Sequence, residues 1–64
     1  MRDPKRIIRT LAKIMEVWTK YPDMRFFQLQ SFILGQVENP PQDYFFLEDD
    51  KYEKTLDKIL SELK

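Results

Sequence analysis

Asp3-Pro4-Lys5-Arg6-Ile7-Ile8-Arg9-Thr10-Leu11-Ala12-Lys13-Ile14-Met15-Glu16-Val17-Trp18-Thr19-Lys20 is the stretch that decides the fold class. Asp followed by Pro is an N-cap followed by the residue favoured at the first helical position. Ile7, Ile8, Leu11, Ile14, Met15 and Trp18 then recur with the spacing of a 3.6-residue repeat and fall on one stripe. Arg2, Arg6, Arg9, Lys13 and Lys20 collect on the opposite side, where a solvated face is the ordinary reading. Pro22 disfavours helical geometry at Tyr21, which ends the helix near Lys20. The spacing therefore predicts a first helix over 4–20.

Downstream, Asp23 is placed to cap a second helix over 24–36. Its apolar residues, Phe26, Phe27, Leu29, Phe32, Ile33, Leu34 and Val37, wrap about 220° of the circumference, against the roughly 100° an ordinary surface helix needs. Two neighbours must sandwich this helix, or a second molecule must cover part of it. Gly35, the single glycine, marks its C-terminal end, unless the exit lies two residues later. Asn39-Pro40-Pro41-Gln42 cannot continue a helix. Tyr44-Phe45-Phe46-Leu47 is apolar enough to lie back on the core, as irregular chain or as a short strand without an evident partner. A third helix over 49–63 opens at Glu48-Asp49-Asp50, whose charge suits the positive end of the helix dipole. Its buried stripe is Tyr52, Leu56, Ile59, Leu60 and Leu63. The pattern is an all-α, small three-helix bundle with an aromatic, proline-containing loop between helices 2 and 3, forming a single helical domain over 1–64.

Sixty-four residues bury a thin core, so apolar burial nearly cancels the conformational entropy lost on folding. Disulfides and the usual zinc sites are excluded as compensation, because cysteine and histidine are both absent. Self-association is the remaining device. Net charge is zero but unevenly spread: residues 1–32 hold seven Lys/Arg against three Asp/Glu, and residues 33–64 hold four against eight. Such a dipole is satisfied within the monomer, across a head-to-tail contact, or by two different partners. No run approaches a membrane span, and Met1-Arg2-Asp3-Pro4 lacks the apolar core of a signal peptide, so a cytoplasmic protein is expected.

The chemical inventory argues against an enzyme. Histidine and cysteine are missing, Ser31 and Ser61 are the only serines, and one glycine builds neither a P-loop nor a dinucleotide fingerprint. No catalytic residue, metal site or cofactor is expected. Glu48-Asp49-Asp50 is the densest acidic cluster, but its spacing lacks the central glycine of a calcium loop, and a charged first helical turn is the better reading.

Two sets of residues remain as candidates for binding. Arg2, Arg6, Arg9 and Lys13 suit phosphate contacts to a nucleic acid or a small phosphorylated ligand. A pI near 6.2 weighs against that, since nucleic-acid-binding domains are typically above about 9. The second set is aromatic. Of nine large rings, Trp18, Phe32 and Tyr52 sit on regular helical stripes and read as core. Phe27 and Leu34 lie on a flank of helix 2 left over once its core face is assigned. With Phe26 and Phe32 they form the expected protein interface, because exposed aromatic residues are enriched at such contacts. The alternative for that flank is burial under the loop at 44–46.

Two stretches carry a resemblance. Arg2-Asp3-Pro4-Lys5-Arg6-Ile7, followed by Trp18-Thr19-Lys20-Tyr21-Pro22-Asp23-Met24-Arg25 and Gln28-Leu29, resembles short uncharacterised helical proteins of phages and bacteria. Those read as an R-D-P start, then W-x-x-x-P-D-x-R, then a Q-L pair. Asp43-Tyr44-Phe45-Phe46-Leu47-Glu48-Asp49-Asp50 resembles their D-x-F-Y-x-E-D-D run. A more distant similarity is to the YihD family, also small and helical. Phe27 stands where many of those relatives carry glycine, so close helix packing is not expected at that point. The resemblance implies a phage-related accessory protein that acts by binding, and it transfers no catalytic residue. The expected partners are therefore a second copy, in a homodimer, and a host or phage protein, with no membrane.

Overall fold

The computed structural model describes residues 3–63. Among them are three α-helices, α1 (Lys5–Lys20), α2 (Phe26–Leu34) and α3 (Asp49–Glu62), and a 3-10 turn at Tyr44–Phe46. The all-α three-helix architecture is as expected. No helix among the described residues is long and apolar enough to cross a membrane.

Helix α1 begins as its sequence directs. The Asp3 carboxylate accepts the Lys5 N–H at 2.9 Å, and the Asp3 carbonyl accepts the Arg6 N–H at 3.2 Å. These satisfy two of the donors that a first helical turn leaves without intrahelical partners. At the other end the Tyr21 N–H bonds back to the Trp18 carbonyl, and the chain turns at Pro22. Helix α2 starts two residues later than expected, and Asp23 does not cap it. Arg25 is the N-cap, and the Gln28 side chain reaches back to accept the Arg25 N–H at 2.8 Å. A glutamine at that spacing closes a capping box, which Asp23 lies too far upstream to form. Gly35 ends the helix as expected, its N–H bonded to the Ser31 carbonyl. Asn39 has a φ of 48°, a left-handed conformation that asparagine tolerates better than most residues, and this turns the chain toward the two prolines.

The core is small and lies at one end of α1. Val17, Leu29, Ile33, Leu56 and Ile59 are buried, with Ile14, Trp18, Tyr21, Met24, Phe32, Tyr52, Leu60 and Leu63 packed around them. The stripe expected on α3 is thus the one it uses. The Trp18 indole N–H donates to the Met24 carbonyl at 2.8 Å, so the ring's polar edge is satisfied where its body is packed. Tyr21 meets Phe32 edge to face at 5.4 Å, and Tyr52 donates its hydroxyl to Gln30 at 2.5 Å, joining α3 to α2. Burial of the Tyr52 phenol raises its pKa, partly offset by that bond.

Two expectations are corrected here. The cationic side of α1 is turned toward α3 rather than toward water. Val17, the one α1 residue fully buried, lies on that side, about 120° around the helix from Leu11. The loop at 44–47 does not lie back on the core. Phe45 and Phe46 are 83% and 68% exposed, in a 3-10 turn rather than a strand. The Asp43 carboxylate accepts the Phe45 N–H at 2.9 Å, which bends the chain before either ring can reach the core.

Candidate interaction surface

Arg6, Arg9 and Lys13 recur at three- and four-residue steps on α1, and Asp49, Glu53 and Asp57 at four-residue steps on α3. Such spacings put each set on one face of its helix. Arg6 pairs with Asp49, Arg9 with Glu53 at 2.6 Å, and Lys13 with both Glu53 and, at 2.9 Å, Asp57. Partner numbers rise together along both helices, so α1 and α3 run parallel. Hydrogen bonds from Arg9 and Lys13 hold the Glu53 carboxyl down at about 2, and the same bonds raise both cations above their ordinary values. The charge dipole is therefore satisfied in large part within the monomer. Of the four candidate phosphate ligands, three are engaged by acids of α3, and Arg2 lies outside the described residues.

Turning the cations inward turns four of the six stripe residues outward, while Ile14 and Trp18 still pack on the core. Ile7, Ile8, Leu11 and Met15 are all exposed, Ile8 by 74% and Leu11 by 59%. They span about 12 Å along the helix at 1.5 Å per residue. Helix α2 does not cover them. Its 9 residues make a rod about 14 Å long against about 24 Å for the 16 of α1, and its contacts reach Trp18 and Tyr21 at the far end.

The four residues expected at a protein interface divide. Phe27 is 79% exposed, with Phe26 beside it at 5.3 Å, edge to face, and partly exposed. Phe26 also meets Trp18 at 5.5 Å, which places this pair of rings at the end of α1 opposite Ile7. Phe32 packs on the core, and Leu34 is half-buried. The 44–46 loop leaves Phe27 in solvent. The α1 stripe itself was legible as a stripe in the sequence. That Ile7, Ile8, Leu11 and Met15 face water was hidden, because amphipathicity marks two sides of a helix without saying which side a charged neighbour will claim.

Among the described residues no group of three or more acidic side chains is disposed to hold a metal ion. A cleft of about 570 Å³ lies where Gln36 and Asn39 face α3, with Asp50, Lys51, Lys54 and Lys58 on its walls. The Lys51 ammonium donates to the Asn39 carbonyl at 2.7 Å and so ties the loop to the helix.

Comparison of the chain with protein-family models, curated proteins and solved structures yields no match.

Proposed function

We propose that this chain is a non-enzymatic protein–protein interaction module, a cytoplasmic, phage-related accessory protein that binds a host or phage protein and also self-associates. The observation that carries the reading is the bare stripe Ile7, Ile8, Leu11 and Met15, with Phe27 beyond it. Fully burying a side chain of this kind contributes about 1.5–3 kcal/mol. A domain with so thin a core leaves that stabilisation unused unless another molecule covers the stripe. The phage setting rests on the motif resemblance alone. Binding of nucleic acid through α1 has less support, because Arg6, Arg9 and Lys13 face carboxylates that a phosphate would have to displace.

The test uses three baits in lysate of a bacterial host: wild type, Leu11→Glu and Phe27→Glu, each confirmed helical by circular dichroism. Proteins retained by wild type and lost from Leu11→Glu support the reading. Identical sets on all three baits sink it.

A further inference from the structure

A second apolar feature is as exposed as the α1 stripe and has the opposite electrostatic setting. Phe45 and Phe46 meet edge to face at 5.1 Å, and their turn is held before any partner arrives. Besides the Asp43 carboxylate on the Phe45 N–H, the Phe46 N–H bonds to the Asp43 carbonyl and the Leu47 N–H to the Tyr44 carbonyl, each at 3.0 Å. A backbone fixed in this way loses little freedom on docking. The segment 38–50 that presents them contains five carboxylates and no lysine or arginine, although one of the five, Asp49, is already paired with Arg6.

The stripe on α1 is set the other way. Lys5 is exposed at its N-terminal end, Arg9 keeps 54% of its side chain in solvent while paired with Glu53, and no acid lies in the first helical turn. The positive end of the helix dipole adds to that field, offset in part by the Asp3 carboxylate on the Lys5 N–H. One surface is an aromatic wedge in an acidic surround, and the other is an apolar strip with a basic end. Both are exposed in the single chain, so they do not meet within it.

We propose that they meet between two copies: Phe45 and Phe46 of each molecule seat on Ile7, Ile8, Leu11 and Met15 of the other, in a reciprocal two-fold pair. This rests on the reading that the chain acts through its uncovered apolar surface, and it assigns the second copy as occupant. Two rings of roughly 150–250 Å² each, together with an equal area of covered helix, bring each copy near the ~800 Å² per partner of a standard interface. A single contact covers about half of that, enough for weak association at the concentrations of an NMR titration but not for a stable pair, which favours reciprocity. The acidic surround opposes insertion of the wedge into an anionic membrane and favours a basic protein surface.

The experiment is complementation between two broken surfaces. F45S/F46S lacks the wedge and keeps the stripe, whereas L11E breaks the stripe and keeps the wedge. In sedimentation equilibrium at high micromolar concentration, wild type runs as a dimer and each variant alone as a monomer. Isotope-labelled isoleucine methyls of F45S/F46S, Ile7 and Ile8 included, then shift when unlabelled L11E is added and stay put when more unlabelled F45S/F46S is added. Raising the salt concentration weakens this association. A monomeric wild type overturns the proposal while leaving the lysate test of a different partner intact. An F45S/F46S variant that remains dimeric overturns it in favour of stripe-to-stripe packing, and an unshifted Ile7 and Ile8 in the mixture overturns it outright.

Discussion

The two ends of α1 are held to the rest of the molecule by different physics. Around Val17 and Trp18 the helix is anchored by apolar burial against Leu29, Ile33, Leu56 and Ile59. Around Arg6 and Arg9 it is anchored by ion pairs to α3, and its greasy side is left in water. The difference teaches that an amphipathic helix need not turn its apolar side inward. Here a neighbouring helix carries a matching row of carboxylates and no third element is long enough to reach the apolar side, so ion pairs line the contact between α1 and α3 at this end. The apolar stripe is then presented outward.

The contrast breaks most visibly at its buried end. Leu56→Ala should cost about 2–5 kcal/mol, because a fully buried leucine leaves a cavity in a core of few residues. Urea denaturation followed by helical ellipticity reads it. Trp18→Phe keeps much of the apolar body and strands the Met24 carbonyl, with an expected loss of about 1 kcal/mol in the same assay.

At the charged end the sharpening experiment is a pH series. Glu53 is held at about 2 in the fold against an ordinary value of 4.5, so its contribution is fully present above about 4.5. It fades as pH falls through 2, where the folded carboxylate is finally protonated. Denaturation midpoints measured from pH 6 to pH 2 should decline for wild type, and Glu53→Gln should begin lower and decline less. A Glu53→Gln profile that parallels wild type would remove the ion-pair row as an anchor. The smallest effect is expected at the bare stripe. Leu11→Ser, measured dilute enough that any assembly has dissociated, should change stability by no more than about 0.5 kcal/mol. A loss like that of Leu56→Ala would mean the stripe is covered within the monomer after all.

Much of the architecture was legible before the coordinates. The caps at Asp3 and Gly35, the break at Pro22 and the stripe Tyr52, Leu56, Ile59, Leu60 and Leu63 all follow from local rules, and local rules act within a turn or two of the chain. The surplus perimeter of α2 was legible too, and Phe27 remains its uncovered part. Val17 was missed because it sits among cations on the wheel. Hydrophobicity alone would pull Phe45 and Phe46 inward, but the turn that Asp43 sets within two residues holds them out.

Composition and periodicity alone thus determined the three helices of the described residues, where each begins and ends to within about two residues, and that the halves of the chain carry opposite charge. Which face of α1 is buried was decided only in the tertiary structure. That choice depends on the parallel register of α1 against α3 and on the short reach of α2, which are contacts across some forty residues that no local pattern encodes.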